Sequence, residues 1–134
     1  MIQNEQEMKG PVEDYFNSIG NYSVHSEIPS GRKKIDLIFT DDDLTELIAV
    51  ELKIRDWKKV FFQCLYNQFN SNWCYAALWH ETVPKIDKKI FKQYGIGIII
   101  VDDDEASLLL KGKKQNSVDT HSMSLIKQKI REIR

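Results

Sequence analysis

Apolar residues recur at two spacings along the chain, every three or four positions in some stretches and every second position in others, and the switches between them mark out the elements. In "MKGPVEDYFNSIG", residues 8–20, Val12, Tyr15, Phe16 and Ile19 keep helical spacing, and Gly20 closes the segment as a residue suited to a helix C-cap. "YSVHSEI", residues 22–28, and "KKIDLIFTD", residues 33–41, alternate as strands do. The acidic run Asp41 to Asp43 predicts a hairpin turn into a third strand, "LTELIAVELKI", residues 44–54, which makes a three-stranded meander. From Asp56, an N-cap residue, "DWKKVFFQCLYNQF" sets Trp57, Val60, Phe61, Cys64 and Leu65 on one side of a helix. "WCYAALW", residues 73–79, reads as a strand, and "VPKIDKKIFKQY", residues 83–94, as a helix ended by Gly95. "IGIIIVD", residues 96–102, has the near-continuous apolar run of a strand buried on both faces. After the turn "DDDE", "ASLLLK" pairs back as a hairpin, and "SLIKQKIREIR", residues 124–134, spaces Leu125, Ile126, Ile130 and Ile133 as a helix. The order is α-β-β-β-α-β-α-β-β-α, an α/β chain.

Composition narrows the class. A chain of 134 residues, 42% hydrophobic, is the size and apolar content of one domain, and with no repeat, low-complexity tract or linker the expectation is a single domain over residues 1–134. A net charge of -1 excludes a protein coated in positive charge, so any basic surface is local. Cys64 and Cys74 lie in apolar contexts without Cys-x-x-Cys spacing, which predicts buried, reduced thiols. With no signal-peptide core at the start and no apolar run near the roughly 20 residues of a membrane span, a soluble cytoplasmic protein is expected. The sequence contains no glycine-rich phosphate loop, since "GIGIII" falls inside a strand. His25, His80 and His121 lack metal-ligand spacing, and the acidic runs lack that of a calcium loop.

One strand carries charge where apolar residues would suffice. In "IAVELKIRDWKK" successive side chains alternate, so Ile48, Val50, Leu52 and Ile54 face one way, while Leu47, Ala49, Glu51 and Lys53 face the other. In the preceding strand Asp36 and Ile38 oppose Ile35, Leu37 and Phe39, and antiparallel pairing brings Asp36 alongside Glu51. Two carboxylates held this close repel, which raises a pKa or invites a hard cation such as Mg²⁺. The bland reading is a cross-strand salt bridge from Lys53 to either acid, common and worth little.

The arrangement of Asp36 after the basic turn "SGRKK", then Glu-x-Lys at Glu51 to Lys53, then a helix presenting Gln63, resembles the PD-(D/E)xK nuclease superfamily over about residues 11–101. The resemblance implies a restriction-endonuclease-like α-β-β-β-α-β core with a mixed central sheet flanked by helices, here extended by a C-terminal β-hairpin and helix. It implies hydrolysis of phosphodiesters, with Mg²⁺, or Mn²⁺ in its place, held by Asp36, Glu51 and the backbone carbonyl of Leu52. Lys53 would orient or deprotonate the attacking water or stabilise the phosphorane. Glu13 in "PVEDYF", with Asp14 the adjacent alternative, would be an acid on the first helix that binds a second ion or a metal-bound water, and Gln63 would hold Lys53 or the nucleophile. Two departures stand out: Ile35 rather than proline precedes Asp36, and four residues after Gln63 comes Asn67 where one branch of the superfamily has tyrosine, the tyrosine here being Tyr66.

The substrate implied is DNA. Arg32, Lys33 and Lys34, and Arg55, Lys58 and Lys59, flank the candidate site and are expected to contact phosphates, whereas the later lysine clusters are expected to be solvated surface. No base-reading element is present, so specificity would rest on nucleic-acid shape or on a partner protein, and the resemblance implies a homodimer with one site per strand. Three functions follow: a metal-dependent nuclease, a non-cleaving binding module on the same fold, and a structural salt-bridge network.

Overall fold

A computed structural model describes residues 2–116 and 118–133. Six strands form one sheet in the order of the chain: β1 (Ser23–Ser30), β2 (Lys33–Thr40), β3 (Leu47–Lys53), β4 (Trp73–Trp79), β5 (Gly97–Asp102) and β6 (Glu105–Leu110). The first three pair antiparallel, β3, β4 and β5 pair parallel, and β6 returns antiparallel along β5. The parallel pairs need crossovers, which α2 (Trp57–Asn67) and α3 (Lys88–Tyr94) supply. With α1 (Lys9–Ile19) before the sheet and α4 (Thr120–Ile133) after it, the architecture is a mixed sheet flanked by helices around an α-β-β-β-α-β core.

Each face of the sheet buries a separate core. On one, Met8, Val12 and Phe16 descend in steps of four residues onto Leu37, Phe39, Ile48, Val50 and Leu52, with Phe16 stacked 4.2 Å from Phe39. On the other, Leu47, Ala49, Cys74, Ala76, Leu78 and Ile98 meet Val60, Phe61 and Cys64 of α2, Phe91 of α3, and Ile126 and Ile130 of α4. Cys64 and Cys74 are buried free thiols, and burial raises both pKa values. No described helix is long and apolar enough to cross a membrane.

Local chemistry moves several predicted boundaries. Gly31, at φ 63°, and Arg32 form the two-residue turn between β1 and β2, closed by the Ser30–Lys33 pair. The predicted tight turn at Asp41–Asp43 is a longer loop, because the Asp41 carboxylate accepts from the amides of Thr45 and Glu46; β3 therefore starts at Leu47 rather than Leu44. The predicted helix over residues 83–94 is broken. A 3₁₀ turn ends at Lys85, Ile86 is extended, and Asp87 caps a new helix by accepting from the Lys89 amide. Gly95, at φ 74°, ends α3 in the left-handed conformation that favours glycine. Asp56 caps α2, accepting from the Lys59 amide at 3.1 Å. The C-terminal helix begins earlier than its apolar spacing implied, at Thr120, and Arg134 lies outside the described residues.

Candidate functional site

The site forms where β2 and β3 part. Their ladder runs from Thr40–Leu47 to Leu37–Val50 and stops there, while β2 continues to Lys33 paired with β1 alone. Across from this break the β1–β2 ladder skips the Glu27–Asp36 pair, and Glu27 takes φ 54°. The register is the same on both sides of the missing pair, yet the faces of β2 change there: Ile35 and Ile38 lie in the core under α2 and α4, and Leu37 and Phe39 in the core under α1, whereas strict alternation put Ile35 with Leu37. Asp36, at the shift, turns into the gap between the strands and accepts from the Leu52 amide at 2.9 Å. The amide and carbonyl of one residue point to the same side of an extended strand, so the Leu52 carbonyl faces this gap too.

Glu51 lies on the face covered by α2 and is only 2% exposed. Its Oε2 accepts from Asn67 Nδ2 at 2.7 Å, while Oε1 is buried without a hydrogen-bond partner. Burial pushes the Glu51 carboxyl up to about 8, the neighbouring Asp36 charge adds to the rise, and the Asn67 amide opposes it. Burial raises Asp36 as well, against the pull of the Leu52 amide. Both carboxyls are thus held above the ordinary carboxylate range.

The remaining predicted residues divide into those gathered at this pair and those elsewhere. Gln63 reaches it: with Tyr66 and Asn67 of α2 and Lys33 and Lys34 of β2 it lines a cavity of about 10 Å³ ending on Glu51, room for one water molecule, and its own Oε1 is buried without a partner. Lys53 ends the strand with its Nζ 3.6 Å from Glu5 Oε1, on the 3₁₀ turn Glu5–Met8 that precedes α1. Among the described residues it makes no ion pair with Asp36 or Glu51, so the cross-strand salt bridge is not formed. Lys53, Glu5 and Arg55 line an open groove of about 760 Å³ at the ends of β3 and β4. Glu13 is part-buried on α1, a helix packed against β5 and β6, and makes no hydrogen bond or ion pair among the described residues; Asp14 is exposed. Arg32, Lys33, Lys34, Arg55, Lys58 and Lys59 are all exposed, and Lys33, Lys34 and Lys59 share a depression with Gln63 and Phe62.

Two residues that matter here were not singled out from the sequence. Asn67 was visible only as a departure from a motif, although its place four residues after Gln63 puts both amides on one edge of α2. Glu5 had no signal, because the contact from a 3₁₀ turn to the end of β3 has no spacing rule.

The donor set suits a hard divalent cation. Two adjacent carboxylates, one with an unpaired buried oxygen, and a carbonyl facing the same gap offer oxygen ligands that a cation relieves of mutual repulsion. Among the described residues no three acidic, histidine or cysteine side chains are placed together to hold a metal ion, so water would complete the coordination of an ion such as Mg²⁺.

No family model and no curated protein matches the sequence. Solved structures do share the fold. A protein of unknown function from Silicibacter pomeroyi aligns with a TM-score of 0.75 at 14% identity, covering 98% of this chain and 86% of that one. An XisH family protein from Nostoc punctiforme aligns at 0.53 with 15% identity, over 78% of this chain and 97% of its own. A repair endonuclease from Pyrococcus abyssi aligns at 0.50 with 19% identity over 77% of this chain, which spans about half of that endonuclease. At these identities the likeness establishes the restriction-endonuclease-like fold.

Proposed function

We propose that the chain is a divalent-metal-dependent nuclease of the PD-(D/E)xK type that hydrolyses phosphodiester bonds in DNA. The observation that carries this reading is the Asp36–Glu51 pair at the parting of β2 and β3, with a buried Glu51 oxygen left unpaired. The occurrence of a similar fold in a repair endonuclease agrees with it. A bound Mg²⁺ or Mn²⁺ would polarise the phosphate and lower the pKa of an attacking water. In this reading Asp36, Glu51 and the Leu52 carbonyl hold the ion, Asn67 keeps the Glu51 carboxylate oriented, and Gln63 positions the water at the mouth of the small cavity. Lys53 leaves Glu5 to meet the phosphate charge, and Arg32, Lys33 and Lys34 hold the flanking backbone.

The test is incubation of purified protein with single-stranded, duplex and four-way-junction DNA in Mg²⁺, Mn²⁺ or chelator. Cleavage in either metal, lost in chelator, is expected. One observation favours a second reading, a non-cleaving DNA-binding module on the same fold: Lys53 is engaged by Glu5 and not by the carboxylate pair. Binding without cleavage under every metal condition would establish that reading instead.

Phosphate contacts make a separate prediction. Arg32→Ala with Lys33→Ala removes two exposed charges at a turn, so folding should be unaffected while DNA binding weakens. The slope of log affinity against log salt should flatten by roughly one unit per lost contact. An unchanged slope would place the DNA elsewhere.

A further inference from the structure

Helix α2 leaves three aromatic rings in solvent on one side. Phe62 is 66% exposed, Phe69 64% and Tyr66 40%, and their i, i+4, i+7 spacing aligns them along the outward face of the helix and its C-terminal turn. The described residues leave them largely exposed, and a row of large exposed rings marks an interaction surface. Lysines border the row. Lys33 stands over the Tyr66 ring at 5.6 Å, and Lys34 and Lys59 share the depression that contains Phe62. The row also leads somewhere, since Tyr66, Lys33 and Lys34 line the small cavity that ends on Glu51.

We infer that this face binds a single-stranded nucleic acid, its bases stacked on Phe62, Tyr66 and Phe69 and its phosphates on Lys33, Lys34 and Lys59, and delivers the strand to the carboxylate pair. The delivery rests on the nuclease reading; the binding does not. Rings with cations beside them are the elements that hold a single strand without regard to sequence, because every base has a π-face and every nucleotide a charge. Phe62 and Tyr66 are separated by about 6 Å along the helix axis, wider than the 3.4 Å step of stacked duplex bases, so each ring takes an unstacked base. A duplex keeps its base faces against one another and gains nothing from the rings. A second copy of this chain fits less well, because facing copies would oppose lysine with lysine.

The experiment measures binding in chelator, where cleavage plays no part, using labelled dT20, rU20 and a DNA hairpin duplex. The wild-type protein should bind dT20 more tightly than the duplex, and comparison with rU20 reports whether the sugar is read. Phe62→Ala and Phe69→Ala should each weaken dT20 binding by about tenfold and duplex binding by no more than about twofold. Both rings are solvent-exposed, so circular dichroism and melting temperature should be unchanged. Equal loss on dT20 and duplex, or no loss on either, overturns the inference. A dimer in sedimentation that Phe62→Ala converts to monomer overturns it too, by assigning the face to self-association. Failure of cleavage in the nuclease assay with ring-dependent dT20 binding intact would remove the catalytic reading and leave this one standing.

Discussion

Replacing Glu51 with glutamine should reduce cleavage by at least about a hundredfold, the scale of one lost electrostatic group, and at the same time raise the melting temperature of the metal-free protein at pH 8. The two effects have one cause. The Glu51 carboxyl is buried, sits beside Asp36 and is pushed up to about 8. The folded protein therefore keeps a proton that the unfolded chain releases near pH 4.5. The sign follows from linkage: stability is fullest below the unfolded value and is lost as pH rises toward 8. Glutamine carries no charge to bury. Its oxygen can accept from Asn67 Nδ2 as Glu51 Oε2 does, and its amide can donate to the neighbouring Asp36 carboxylate. The gain at pH 8 should be on the order of a few kcal/mol, and it should vanish by pH 5. Thermal melts at pH 5, 6.5 and 8, in chelator and in Mg²⁺, read both halves: the wild type should gain stability from Mg²⁺ at pH 8 and the variant should not. DNA affinity at pH 8, where Glu51 is partly ionised, should hold or tighten, since that negative charge is removed. Full cleavage by purified Glu51→Gln protein would eliminate the pair as the catalytic centre.

The order of elements was legible because each long element keeps its period for several turns or pairs. Val12 and Phe16, or Val60, Phe61 and Cys64, leave little choice but a helix with one buried side, and Asp56 marks where α2 starts. Boundaries failed where a single polar side chain competes with the backbone. Asp41 takes two amides that a β-ladder would have used, and Asp87 starts a helix in the middle of what periodicity reads as one. Neither event alters the apolar pattern.

At the site, alternation placed Asp36, Glu51 and Lys53 on one face; the structure sets Asp36 on the Leu52 amide near Glu51 and turns Lys53 to Glu5 instead. Alternation also misassigned Ile35: the β1–β2 register runs on unbroken past the left-handed Glu27, but the Glu27–Asp36 pair is missing and Ile35 falls on the opposite face from Leu37. That same irregularity frees Asp36 to leave the ladder and bind the Leu52 amide. A regular β2 would hold Asp36 over Glu51 with no gap between the strands, so the feature least readable in sequence is the one that opens the site. Asn67 shows the same limit: a buried amide at the edge of an apolar stripe reads as a poor core residue until its partner is known to be a carboxylate.

Lys53→Ala is the sharper test of chemistry, because the lysine is joined to the fold by little. Its Nζ meets Glu5 at 3.6 Å, and with the Lys53 side chain 19% and the Glu5 side chain 42% exposed the pair is of the partly solvated kind worth about 0–1 kcal/mol. The melting temperature should therefore move by only a few degrees. Cleavage should fall by about a hundredfold or more if the ammonium meets charge that develops at the phosphate, and the loss should appear in kcat with KM little changed. Glu5→Gln supplies the complementary measurement: it releases Lys53 without removing it, so activity should be kept or modestly raised while stability changes no more than in Lys53→Ala. Should both variants lose activity equally, the ion pair itself would be the functional unit, holding the 3₁₀ turn against the end of β3. Should Lys53→Ala cleave at the wild-type rate, the lysine of the Glu-x-Lys element would have no part in the reaction, and the positive charge at the phosphate would have to come from Lys33 or Lys34 at the other mouth of the site.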